Sequence, residues 1–300
     1  MPANTSIKVQ ENINFLIDEF LEYYISLNAS KNTLNNYAVD LKQFEKWCNT
    51  QSFTEFSDIT IKDIENFLKS LGNVAPTTIQ RKISSVRMFF QYLQREEIIT
   101  SNVAKTVKLP HKPQKQPDII TKDEALRIVQ ASENESVANK NINTLGNLLI
   151  IKLLLNLGLR RAELIEITLK DIDLNQGRIL IQGKGNKQRY VFLNPELKKS
   201  IIEYLAISEI AKKTPNDKLF PLHVATINNI VNHAMEIANC KKKGRSCHAL
   251  RKRFASSAYS ATLDIYVIAS ALGHSDLHTI KTYAEVDEKQ TRNAFNSVNF

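Results

Sequence analysis

Two arginines, two histidines, a lysine and a tyrosine stand in four short stretches of the second half of this 300-residue chain, where local structure does not ask for them. "GLRRAEL" places Arg160 just after Gly158, which closes a very apolar run. "GKGNK" lifts Lys184 onto a turn between two glycines, and "HALR" sets His248 and Arg251 three apart on one helical face. "LGH" brings His274, and Tyr283 follows nine residues later. Taken singly, each has an ordinary reading: a surface arginine, a solvated turn lysine, a satisfied helix face, an aromatic on a packed helix. Taken together, they are the parts for metal-free attack on a phosphodiester.

Transfer at phosphorus builds negative charge on the non-bridging oxygens, and a guanidinium meets those oxygens with two parallel donors. Two arginines then do what paired metal ions do elsewhere, so neither a metal nor another cofactor is called for. An attacking phenol must lose a proton from a group of pKa about 10, and a near-neutral histidine is a suitable acceptor. The leaving deoxyribose oxygen needs a proton, which a lysine at a hairpin tip can deliver.

The elements around these residues must bring them together. On one continuous helix His274 and Tyr283 would point to opposite sides, since nine steps of about 100° leave half a turn over. "LGHSDLHTIKTYAEV" avoids this: Gly273 ends one helix, Ser275 caps the next, and His274 falls in the turn. Leu277, Ile280 and Ala284 then supply a packed face for the helix that carries Tyr283.

Upstream, four segments of residues 1–108 repeat apolar residues every three or four positions, which predicts a helical domain. Its fourth helix carries Arg81, Lys82 and Arg87, a basic stripe that touches a nucleic-acid backbone or simply meets solvent. Residues 109–120 hold Pro110, Pro113 and Pro117 among lysines and read as an extended basic linker. Thr121 and Glu124 then form a capping box that opens a second domain, residues 121–300. That domain is mostly helical, with short β-rich runs on either side of "GKGNK" forming a small antiparallel sheet.

Charge divides unevenly. Residues 1–110 hold 12 basic and 12 acidic side chains; the rest hold 28 and 19, and carry the whole net charge of +9. "KKKGRSCHALRKR" alone, Lys241 to Arg253, has seven basic residues and no acidic one. Such a run is either a solvated face or a surface for a polyanion, whose condensed counterions are released on binding. Cys48, Cys240 and Cys247 are odd in number and lack C-x-x-C spacing, which predicts neither a disulfide framework nor a zinc site. No apolar run reaches the ~20 residues of a bilayer span and no secretory signal opens the chain, so a cytoplasmic protein without a membrane partner is expected.

The ordered set "GLRRAEL", "GKGNKQR", "HALR", "LGH" and a tyrosine nine residues on resembles the tyrosine recombinase (phage integrase) family, near its small Xer-type members. The likeness spans residues ~10–290. It implies a mainly α fold with a small antiparallel sheet: a helical, SAM-like core-binding domain followed by a mixed α/β catalytic domain of the DNA breaking-rejoining type. By the same likeness Tyr283 is the nucleophile that forms a 3′-phosphotyrosyl bond, and Arg160 and Arg251 bind the scissile phosphate. Lys184 is the general acid, His248 assists proton transfer, His274 hydrogen-bonds the phosphate, and Glu163 orients Arg160. Lys187 and Arg189 are read as DNA-backbone contacts or plain surface charge, and Lys241, Lys242, Lys243, Arg245, Lys252 and Arg253 of the basic run as candidate DNA-backbone contacts.

The family further implies double-stranded DNA sites, a tetramer on two of them with exchange through a Holliday junction, and in some members a paralogous recombinase or accessory protein. The tail's Val286, Phe295, Val298 and Phe300 resemble segments that dock on a neighbouring subunit, although packing on its own subunit is the alternative. After "HALR" many Xer-type members continue His-Ser-Phe-Ala-Thr, whereas Lys252, Arg253, Phe254, Ala255 and Ser256 follow here. Resolution of chromosome dimers, integration, excision and inversion therefore all stay open. A type IB topoisomerase and a non-catalytic architectural DNA-binding protein are the rival readings.

Overall fold

The computed structural model describes residues 9–109, 118–139, 141–183, 187–207, 210, 212–262 and 264–273. The chain divides into two compact units, Met1–Lys115 and Gln116–Phe300.

The first unit is built of α1 (Val9–Ser26), α2 (Lys31–Cys48), α3 (Ile61–Ser70) and α4 (Pro76–Arg95). Local chemistry sets where they begin. Ser30 Oγ accepts from Thr33 N–H at the start of α2, Thr60 and Asp63 cap each other reciprocally at α3, and Pro76 opens α4 where no N–H is required. The core is aromatic: Phe20, Phe44, Phe67, Phe89 and Phe90 are all buried. Phe20 meets Phe89 edge-on at 5.7 Å and Phe44 meets Phe67 at 5.0 Å, geometries that place ring edges against ring faces.

The basic stripe expected on α4 is mostly spent inside this unit. Asp40 is fully buried and needs cationic partners, which it finds in Arg81 and in Lys82 at 3.1 Å, with Ser85 donating at 2.8 Å. Lys82 is itself buried, only 7% exposed, and also donates to Gln43 at 2.6 Å. Arg87 donates to the carbonyls of Ala104 at 3.0 Å and Val107 at 2.6 Å, tying the chain after α4 back onto it. Only Arg81 keeps substantial exposure. Lys82 and Arg87 are internal ties, a correction to the stripe reading.

The first helix of the second unit opens at the Thr121–Glu124 capping box, whose two reciprocal hydrogen bonds are 2.9 and 3.1 Å. Its elements are α5 (Lys122–Asn139), α6 (Ile142–Leu157), α7 (Arg161–Glu166), β1 (Ile172–Asp173), β2 (Arg178–Gln182), β3 (Gln188–Phe192), α8 (Pro195–Leu205), α9 (Val224–Ile237), α10 (Cys247–Thr262) and α11 (Ile265–Leu272). Helix α6 is apolar nearly all round, so it becomes the central helix, packed by α5, α8 and α10.

The sheet is antiparallel in the order β1-β2-β3, with Ile179 opposite Val191 and Ile181 opposite Arg189. Ile179, Ile181 and Val191 turn inward and are buried, while Gln188, Tyr190 and Phe192 turn outward. Strand parity therefore puts Arg189 on the covered face beside Val191. The mainly helical class with one small antiparallel sheet is as expected. Among the described residues no helix is long and apolar enough to cross a membrane.

Candidate active site

Arg160 is positioned by the way α6 ends. Gly158 takes the left-handed conformation, φ +59°, and stops the helix; Leu159 is buried, and Arg160 is extended as the cap of α7. Glu163, one turn on, accepts the Arg160 backbone N–H at 2.8 Å and its Nη1 at 2.7 Å. The arginine side chain remains 40% exposed, whereas Glu163 is 4% exposed.

That buried carboxylate gathers two more guanidinium groups. Arg189 donates to both of its oxygens, Nη1 at 3.1 Å and Nη2 at 2.9 Å, and Arg251 Nη1 lies 3.6 Å from Oε2. Burial by itself would raise the Glu163 pKa. The Arg189 hydrogen bonds, the Arg160 N–H and the surrounding positive charge outweigh it and hold the carboxyl at about 2. Glu163 is thus an ionised anchor at neutral pH.

His248 and Arg251 stand one turn apart on α10 with different surroundings. Arg251 is 1% exposed, and its guanidinium donates to Gly158 O and, at 2.8 Å, to Leu272 O. These carbonyls end α6 and α11, where helices carry partial negative charge and lack internal donors. One cation therefore gathers the ends of two helices. His248 is exposed, yet nearby protein atoms partly desolvate its ring and push its pKa below the ordinary imidazole value, with Lys252, Arg251, Arg160 and Arg161 adding to the effect. Its neutral ring is fit to accept a proton.

Arg160, His248 and Arg251 line one recess of about 330 Å³, together with Leu159, Arg161, Ala162, Val224, Ser246 and Cys247. Three guanidinium groups and an imidazole border it with no acidic side chain among them, which suits it to a phosphate. Cys247 offers no competing nucleophile, because burial pushes its thiol up to about 12. The chain leaves the described residues just beyond α11, where Gly273, again left-handed at φ +62°, stops the helix. Lys184, His274 and Tyr283 lie outside the described residues, as does the linker from Pro110 to Pro117.

The residues expected to contact DNA separate into two groups. Lys187, Lys241, Lys242 and Lys243 are exposed, and Lys252 and Arg253 are half-buried. Arg245 is only 5% exposed, so its assignment is corrected: Nε and Nη2 grip Asp118 at 2.7 Å each, and Nη1 reaches Glu124 and Cys240 O at 2.8 Å. It pins the start of this unit to the basic loop. Arg189 is corrected likewise. Besides Glu163, it donates through Nε to Ala271 O at 3.0 Å, and just 12% of its side chain is exposed. Its inward position was available in "QRYVF", where alternation puts Arg189 on the side of Val191. No comparable local signal marks Arg245.

Two family models match the chain: the phage integrase family over residues 118–290, and the phage integrase N-terminal SAM-like domain over residues 17–97. The tyrosine recombinase XerC of Anoxybacillus flavithermus is 30% identical over 296 residues, covering 94% of this chain and 96% of its own length. Among solved structures, XerH site-specific recombinase bound to palindromic difH substrate, a post-cleavage complex, matches with TM-score 0.79 at 22% identity over 97% of both chains. A lambda integrase tetramer bound to a Holliday junction matches with TM-score 0.72 at 19% identity, over 93% of this chain and 78% of that one. Both structural likenesses are likenesses of fold.

Proposed function

The chain belongs to the phage integrase family and is a site-specific tyrosine recombinase, an enzyme that cuts and rejoins DNA; we propose how its residues divide that work. The recess holding Arg160, His248 and Arg251 carries the reading. Arg160 and Arg251 bind the non-bridging oxygens of the scissile phosphate and offset the charge that builds on them. Tyr283 attacks phosphorus, its proton passing to the neutral ring of His248. The bond to the 5′ oxygen breaks, and that oxygen takes a proton from Lys184. A 3′-phosphotyrosyl link and a free 5′-hydroxyl result. Attack by another strand's 5′-hydroxyl reverses the steps and rejoins the DNA. His274 hydrogen-bonds the phosphate, and Glu163 orients Arg160.

The substrate is a pair of double-stranded DNA sites in the cytoplasm, held by a tetramer that exchanges strands through a Holliday junction. Lys187, Lys241, Lys242, Lys243, Lys252 and Arg253 contact the DNA backbone. An apolar groove of about 580 Å³ beside β3 supports the assembly: Phe192 is 72% and Tyr266 69% exposed there, a surface suited to the apolar tail residues Val286, Phe295, Val298 and Phe300. Neither a topoisomerase nor an architectural role is favoured by any observation.

A nicked suicide site from which the cleaved 5′ end diffuses away tests the nucleophile. The unaltered protein is expected to leave an SDS-resistant protein–DNA adduct, and Tyr283→Phe none. An adduct of undiminished yield from the variant would remove Tyr283 from the role.

A further inference from the structure

Arg189 has a second part to play in the recombinase reaction, and the inference rests on the function proposed above. The recess is lined by Arg160, yet the nearest acid to that arginine, Glu163, is almost wholly buried and ionised. A lone buried carboxylate would draw Arg160 into a two-pronged pair, the geometry guanidinium and carboxylate groups prefer. Such a pair would turn the guanidinium away from a phosphate.

That pairing does not occur. Arg189, arriving from the covered face of β3, takes both Glu163 oxygens with its own fork at 3.1 and 2.9 Å. Arg160 is left with its backbone N–H and one terminal nitrogen on the acid, and its side chain stays 40% exposed at the recess. The third nitrogen of Arg189 holds Ala271 O, next to the Leu272 carbonyl that Arg251 holds. Both clamps therefore bear on the end of α11. Gly273 packs close by: a Cβ there would lie 3.0 Å from Arg189 Nη1.

We propose that Arg189 is a positioning residue: by occupying the buried face of Glu163 with a bidentate pair, it keeps the Arg160 guanidinium presented to the scissile phosphate. Charge alone does not suffice for this. A lysine at position 189 supplies the charge but only a single point donor, so one carboxylate oxygen becomes available to Arg160.

The test is adduct formation by Arg189→Lys on three versions of the suicide site: ordinary phosphate, a methylphosphonate and a 5′-bridging phosphorothiolate. On the ordinary phosphate the variant is expected to be slower by about 100-fold, the scale of losing one charge-stabilising donor, with DNA affinity unchanged. The methylphosphonate lacks one non-bridging negative charge and needs the arginine less. There Arg189→Lys is expected to approach the unaltered protein, as Arg160→Ala does. The phosphorothiolate leaves without a proton; it should rescue Lys184→Ala but not Arg189→Lys.

An unimpaired rate for Arg189→Lys on ordinary phosphate overturns the inference. So does an equal deficit on all three substrates, which would mean a merely structural role, or rescue by the phosphorothiolate alone, which would tie Arg189 to the leaving group. Should the lysine variant fail to fold, Glu163→Gln/Arg189→Gln is measured instead: with no carboxylate left to capture Arg160 it is expected to form adducts on ordinary phosphate at close to the unaltered rate, and a loss of about 100-fold there overturns the inference. Failure of the unaltered protein to form adducts on any of them would overturn the functional reading itself, an outcome distinct from the others.

Discussion

His248 and Arg251 illustrate how little separation on a helix is needed to give two side chains different duties. One turn apart on α10, the histidine is exposed at the recess while the arginine, almost wholly buried, lines it from within and holds carbonyls from two other helices. Partial desolvation, with four nearby cations adding to it, lowers the His248 pKa from its ordinary value, so protonation is disfavoured. If His248 accepts the tyrosine proton, the rate of adduct formation should therefore hold as pH falls from about 8 to 6.5 and drop only on an acidic limb with its midpoint below 6.5. Single-turnover rates across that range measure it. A midpoint above 6.5 that moves in His248→Asn would contradict the direction, and an acidic limb unchanged in His248→Asn would contradict the role.

At the scale of elements, the recess depends on where helices stop. Gly158 and Gly273 both take the left-handed conformation, and the carbonyls at these ends are what Arg251 and Arg189 hold. Gly158 has a further reason to lack a side chain: a Cβ would overlap the Phe254 ring and come within 2.9 Å of Leu272 Cδ2. Gly158→Ala should lose roughly 2–4 kcal/mol of stability, combining left-handed strain with overpacking. Urea denaturation of the two proteins reads this directly, and a loss under about 0.5 kcal/mol would mean that the α6 end is not tightly enclosed. Both helix ends were legible in the sequence, as were the Thr121–Glu124 capping box and the two antiparallel strands on either side of "GKGNK", because each is a local matter of a few neighbouring residues.

For the whole molecule, charge is the property that relates most directly to DNA. The excess of +9 belongs to the residues after 110, but the basic run from Lys241 to Arg253 is less available than its composition suggests, since Arg245 is committed inside. Lys241, Lys242 and Lys243 remain exposed. Replacing these three by glutamine should make the dependence of DNA affinity on salt shallower by about 2.7 in log–log slope, since each phosphate contact contributes about 0.9. Fluorescence anisotropy at several salt concentrations gives that slope; parallel lines for the two proteins would return the three lysines to a solvated face.

The sequence by itself determined what depends on near neighbours: helix periods, glycine stops, the Arg160–Glu163 relation and the ordered motifs that mark the family. Only the tertiary structure decided which cations are free to meet an anion. Lys82 finds Asp40 42 residues away, Arg189 finds Glu163 26 residues away, and Arg245 finds Asp118 and Glu124 more than a hundred residues back. In sequence only Arg189 carries a hint of this, in the alternation of "QRYVF", and none of the three reveals its partner. A buried carboxylate must be paired, the fold chooses the cation that reaches it, and that choice removes the cation from the surface.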